Sequence, residues 1–191
     1  DFFAMRAVPG VEQVTQGVYR RCVRAPGKGQ RAGWIEVSHD PQRTRLQLSV
    51  SESLRSDLLG LIAAVRRQFD LDCDPQLVAE ALGPLAAKDP GLRLPGAIDG
   101  FEQSVRAILG QQVSVAAATT LAGRLANTFG AALETPHAGL NRLFPAAAEM
   151  AQLQESDLVS LGILATRARS ILALAQAVAG GELRLQADAP V

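Results

Sequence analysis

The chain has 191 residues, 48% of them hydrophobic, 20% charged and 4% aromatic, and its 19 Lys and Arg balance 19 Asp and Glu. With a pI near 6.9 the overall charge makes no case for a polyanionic partner, although a local basic face would suffice. Cys22 and Cys73 form neither a metal-ligand spacing nor a disulfide framework, and no apolar run approaches the roughly 20 residues of a membrane span. The expectation is a reduced, cytoplasmic, monomeric protein with no membrane partner, no metal and no cofactor.

Residues 1–8 read as the end of a helix, with Phe2, Phe3 and Met5 apolar and Pro9-Gly10 as the stop. Val11 to Arg24 alternates as one strand, Pro26-Gly27-Lys28-Gly29 is a turn, and strands are expected at Trp34–Ser38 and Thr44–Val50 around a turn at His39-Asp40-Pro41. This is a three-stranded antiparallel meander. Glu52 to Phe69 then takes helical period, with Leu54, Leu58, Leu61, Ile62, Val65 and Phe69 on one face and Arg55, Arg66 and Arg67 opposite. Asp74-Pro75 opens a second helix, Asp74 as N-cap and Pro75 in the first turn, which stops at Gly83-Pro84.

The Pro/Gly-rich stretch Lys88–Gly96 is the expected boundary between domains 1–95 and 96–191. Beyond it strand signals vanish. Asp99 and Glu102 have the spacing of a capping box, and Phe101, Val105, Ile108 and Leu109 form one apolar face. Gly110 weakens that helix before Gln111-Gln112, and Ser114 caps the next, which runs to Phe129 with a small-residue core side of Ala116, Ala117, Ala118, Ala122, Gly123 and Ala126. Phe144 anchors a loop over Leu140–Pro145. Short helices are expected near Ala146–Gln152 and Ser156–Leu161, and a last amphipathic helix over Thr166–Ala179 turns Ile171, Leu172, Ala175 and Val178 inward. The fold class is therefore α+β: an antiparallel sheet with packed helices, then helices alone.

Familiar catalytic constellations are absent: the chain has no Walker A loop, no H-E-x-x-H and no G-x-S-x-G. His39 and His137 sit in Pro-flanked stretches and read as solvated. Asp70, Asp72 and Asp74 lack the Gly and distant Glu of a calcium loop and read as helix flanks and caps. Arg20, Arg21 and Arg24 could touch phosphates, but a solvated strand face accounts for them. The adjacent Gln111 and Gln112 at a helix junction are the outstanding polar feature. They suit either satisfaction of backbone groups at the break or the probing of a partner outside, such as a DNA duplex.

The run from Leu92 through Pro95-Gly96, Asp99-Gly-Phe-Glu102 and Ile108-Leu-Gly-Gln-Gln-Val-Ser-Val115 closely resembles the bacterial 3-methyladenine DNA glycosylase II family, within the helix–hairpin–helix glycosylases. Weaker matches follow in order: Phe2–Val8 with the family's first helix, Phe69–Pro75 with a link between two helices, and Leu161–Leu183 with the helix before its hairpin. The resemblance implies an all-α glycosylase domain, double-stranded DNA as partner, and hydrolysis of the N-glycosidic bond of alkylated bases such as 3-methyladenine and 7-methylguanine. The base is flipped from the stack. It implies Gln112 as the side chain wedged into the gap, where some members carry Leu, with Gln111 in a supporting role. It implies Phe2 in the base pocket, its ring suited to a cationic purine.

The family's catalytic Asp follows a Leu-Pro-Gly-Ile-Gly type hairpin that grips a phosphate. Leu94-Pro95-Gly96-Ala97-Ile98 has Ile where the second Gly belongs, so no aspartate here is carried over as catalyst. The expected Asp lies beyond Val191, and residues 1–191 are expected to be an inactive fragment of a longer protein. The alternative is a non-catalytic DNA-binding or interaction module of a larger alkylation-response protein fused to a methyl-transfer regulator. A glycosylase for oxidised purines matches the central motif less well.

Overall fold

In the computed structural model, which describes residues 2–25, 31–89 and 91–185, a short helix α1 (Phe2–Arg6) leads into a four-stranded antiparallel meander. Its strands are β1 (Glu12–Thr15), β2 (Val18–Arg24), β3 (Ala32–Asp40) and β4 (Arg45–Val50). The single strand expected over Val11–Arg24 is thus a hairpin. Gln16 and Gly17 take φ of 51° and 76°, the two left-handed residues of a tight turn, which brings Val14 opposite Tyr19. The expected turn at His39-Asp40 is instead the end of β3, pairing with Leu46 and Arg45. The turn expected at Pro26–Gly29 lies outside the described residues.

One face of the sheet carries Tyr19, Val23, Ile35 and Val37 against Leu54, Leu61 and Val65, all buried. Burying each of the larger aliphatic side chains contributes about 1.5–3 kcal/mol. The helix expected over Glu52–Phe69 divides into a 3₁₀ segment (Glu52–Asp57) and α2 (Leu58–Gln68). The tighter winding of the first segment rotates the buried stripe onto Leu61, Ala64, Val65 and Gln68, leaving Leu58 and Ile62 partly exposed. On the opposite face, Cys22 packs with Leu140 and Leu143, and burial pushes its thiol up to about 11.

Helix α3 (Pro75–Leu82) is capped as expected, Asp74 accepting from the Gln76 amide at 2.9 Å, and continues as a 3₁₀ turn over Gly83–Ala87. No residue of α3 is buried. The remaining helices are α4 (Gly100–Leu109), α5 (Val115–Phe129), α6 (Ala147–Met150), α7 (Glu155–Ser160) and α8 (Ala165–Ala179). They share a second core built on Phe101, Val105, Leu109, Leu125, Met150 and Ile171, to which Val8 and Val11 from the start of the chain also belong. Among the described residues no helix is long and apolar enough to cross a membrane.

Two expectations for these helices are corrected. Asp99 accepts from the Glu102 amide at 3.0 Å, but the Glu102 carboxylate does not return to the cap; it turns inward to Arg21 and Arg106. On α5 only Ala122, Gly123 and Ala126 of the small-residue stripe are buried, and Gly123 meets Pro9 rather than another helix. Ala116 and Ala117, in the first turn, are exposed.

Candidate nucleic-acid interface

The α4–α5 junction projects from the helical half. The Asp99 cap starts α4, and Ser114 starts α5 by accepting from the Ala117 amide at 3.2 Å. Between them Gln111 and Gln112 are both exposed, and neither side chain makes a hydrogen bond among the described residues. Their amides therefore do not serve as backbone caps. Gln112 has φ of 55°, left-handed for a residue with a Cβ. Val113 and Val115 are 36% and 43% exposed beside it, so the tip presents a polar side chain on an apolar collar.

A cleft of about 220 Å³ runs from Phe2 on α1 to Val113 and Val115 at this junction. Phe2 is 43% exposed at one end, edge-on to Phe3 with ring centroids 5.4 Å apart. Phe3 continues the aromatic cluster to Phe69 and Tyr19 at 4.9 and 5.2 Å. The Arg6 guanidinium sits 4.0 Å from the Phe2 ring centre, so that in the free protein one cation already occupies the ring's electron-rich face.

The floor of the cleft is ionic. Glu12 accepts from the Tyr19 hydroxyl at 2.6 Å, the Val8 amide at 3.2 Å, Arg106 at 3.0 Å and Arg21 at 3.4 Å. Arg21 also donates to Glu102 at 2.6 Å, and Arg106 to Glu102 at 3.2 Å and to the Arg6 carbonyl at 2.6 Å. Two carboxylates and two guanidiniums thus cancel in a site where Glu12, Arg21 and Glu102 are buried and Arg106 is partly so. Burial raises both carboxyls. At Glu12 the two arginines, the Tyr19 hydroxyl and the Val8 amide outweigh it and hold the group below its usual range. At Glu102 burial, with Glu12 and Asp99 nearby, prevails over the arginines and leaves the group above that range. Burial also pushes the Tyr19 hydroxyl up, the carboxylate of Glu12 adding to it.

The other residues singled out in the sequence take structural places. Arg20 pairs with Glu36 at 2.5 Å, and Arg24 donates to the Phe144 carbonyl and grips Glu149 with one nitrogen at 3.0 and 3.1 Å. The arginines of β2 are therefore not a solvated face, and Arg21 is only 5% exposed. His137 is not solvated either: it stands edge-on to Trp34 at 4.8 Å. Asp72 pairs with Arg66, and Asp70 accepts from the Leu94 amide at 2.9 Å, as flanking residues do. The ionic floor escaped sequence reading, although Arg21 at an inward strand position alongside Tyr19 and Val23 was a usable signal.

A family model for the AlkA N-terminal domain matches residues 1–99, and one for the HhH-GPD superfamily of base excision DNA repair proteins matches residues 105–190. A 40% identity extends over 182 residues, 95% of the chain and 63% of the relative, to DNA-3-methyladenine glycosylase 2 of Escherichia coli. Over 190 residues, 96% of the chain and 37% of the relative, it is 39% identical to a probable bifunctional transcriptional activator/DNA repair enzyme AlkA of Mycobacterium tuberculosis. Among solved structures, a 3-methyladenine DNA-glycosylase from Archaeoglobus fulgidus superposes with a TM-score of 0.75 at 22% identity, over 92% of this chain and 60% of that one. The fold is thus that of the HhH-GPD base-excision repair proteins. Within that class the chain belongs to the 3-methyladenine DNA glycosylase II family, and it spans less than two thirds of the length of these relatives.

Proposed function

We propose that this chain is the damage-probing part of a monofunctional DNA glycosylase that releases alkylated bases of the 3-methyladenine and 7-methylguanine type from double-stranded DNA. The observation that carries the reading is Gln112: exposed, unbonded and left-handed at the α4–α5 junction, whose neighbours Gly110, Val113 and Val115 line a cleft that ends at Phe2. A side chain so displayed can enter a base stack without losing an internal bond, and its amide can hydrogen-bond the orphaned base. Gln111 supports the tip through its backbone. In the hydrolysis the C1′–N bond of the cationic nucleoside breaks, the base leaves as a neutral purine with the bond's electron pair, and the water that adds to C1′ releases a proton to solvent. None of the aspartates in residues 1–191 follows the required hairpin, so none is assigned to steady the cationic sugar, and no cofactor is invoked. We assign residues 1–95 and 96–191 to two domains whose contacts include the ionic floor of the cleft.

The test is a duplex carrying an abasic-site analogue opposite 2-aminopurine. Residues 1–191 are expected to prefer it to undamaged DNA and to change the probe's fluorescence, while releasing no base from methylated DNA. Loss of the preference in Gln112→Ala supports the wedge; an unchanged preference removes it. The second reading, a non-catalytic module of a fused regulator, draws on the Mycobacterium relative's two-part name and the 37% of its length that the chain covers. Base release by a longer natural form of this protein would exclude that reading.

A further inference from the structure

We propose that Arg167 is a positioning residue for the probing tip, holding the peptide between Gln111 and Gln112 so that Gln112 is displayed before DNA arrives. The proposal rests on the reading of Gln112 as the wedge.

Arg167 lies in the first turn of α8, 56 positions from the tip, and its guanidinium donates to the Gln111 carbonyl. That carbonyl belongs to the same planar peptide as the Gln112 nitrogen. Its direction therefore fixes one end of the rotation that defines φ of Gln112. Left-handed backbone is unfavourable for a residue with a Cβ and persists only where its surroundings impose it. Among the described residues this is the one long-range hydrogen bond made to that peptide, and it adds to the local turn bonds after α4 in holding the conformation.

Arg167 can serve as an anchor because α8 is itself tied to α5. Arg124 on α5 donates in the opposite sense, to the Leu161 carbonyl at 3.0 Å in the turn before α8. Gly162, with φ of 88°, makes room for it: a Cβ there would stand 3.1 Å from the Arg124 guanidinium nitrogen. Two arginine–carbonyl bonds thus tie the pair together in opposite senses, one from α8 to the α4–α5 turn and one from α5 to the α7–α8 turn. Among the described residues Arg167 pairs with no carboxylate, so its donors are not drawn away from the peptide.

The experiment compares undamaged duplex with the abasic-analogue duplex carrying 2-aminopurine opposite the gap. Arg167→Ala is expected to lose about fivefold of the preference for the abasic duplex, the scale of one ordinary intramolecular hydrogen bond. It should lose the fluorescence change as well, with binding to undamaged DNA kept within about twofold. Arg167→Lys, whose ammonium can reach the same carbonyl, should restore most of both. Arg167→Met keeps the aliphatic stem, guards against a folding defect in α8, and should match Arg167→Ala. An intact preference and fluorescence change in Arg167→Ala and Arg167→Met would overturn the proposal. So would an equal loss on both duplexes, which is the mark of a phosphate contact. If Gln112→Ala also keeps the preference, the wedge reading fails first. If only the Arg167 variants keep it, the wedge stands and the anchor alone is refuted.

Discussion

Arg21 on β2 and Glu102 on α4, 81 positions apart, meet at 2.6 Å with both residues no more than 5% exposed. This pair joins the sheet to the helical half beneath the cleft. With Glu12 and Arg106 it forms a neutral set in which no charge is left alone. A buried set of this kind adds little net stability over apolar packing, but removing one member strands the others. Its value here is to fix the distance between the Phe2 end of the cleft and α4, the helix that leads to the Gln111-Gln112 junction.

Arg21→Leu should therefore be severe. It leaves Glu12 and Glu102 facing each other with Arg106 alone, and a loss of about 3–5 kcal/mol is expected. The double variant Arg21→Leu/Glu102→Leu should recover a large part of that loss, because it removes one stranded charge. Denaturant unfolding of the two variants measures both values. A single variant within about 1 kcal/mol of the parent would mean that water reaches the network.

Glu12 supplies a pH signature. Its carboxyl is held below the usual value of 4.5, so it binds its proton less readily folded than unfolded. The stability it contributes is complete above about pH 4.5 and drains away as pH falls through the lowered folded value. Glu12→Gln should be less stable than the parent at neutral pH, and the gap should narrow steadily below about pH 4.5. Urea unfolding between pH 7 and pH 3 checks the sign; a gap that widens in acid would show that burial, not Arg21 and Arg106, governs this carboxyl.

Phe2 offers a test of the base pocket in a catalytically competent form of the protein. Phe2→Leu keeps much of the volume and discards the ring face that Arg6 covers at 4.0 Å. It should slow release of a cationic alkylated purine by about fivefold relative to a neutral damaged base, the scale of a partly desolvated cation–π contact. Equal slowing of both would assign Phe2 a packing role only. Because Phe2 is 43% exposed, the thermal midpoint should change little in either case.

Much of the fold was legible because local signals were consistent. The caps at Asp74, Asp99 and Ser114 each accept the amide their spacing calls for, and the apolar periods of α4 and α8 mark buried faces. The hairpin inside Val11–Arg24 was missed because Gln16-Gly17 is a weak turn pair, and alternation carries across a two-residue turn almost unbroken. The rotation of α2 was hidden for another reason: a 3₁₀ first segment changes the winding without changing the residue pattern. His137 and the arginines of β2 look solvated in sequence because their partners Trp34, Glu36, Glu102 and Glu149 lie far from them along the chain.

The sequence by itself determined the α+β class, the caps, the family and the position of the Gln111-Gln112 junction, since each is written in neighbouring residues. Only the tertiary structure decided what surrounds that junction. The Arg167–Gln111 hydrogen bond beside the left-handed Gln112 and the cancelling charges under the cleft depend on side chains brought together from about 56 to 94 positions away. Such contacts follow from how α4 packs against α5 and α8 and meets β2, and no local period or propensity encodes them.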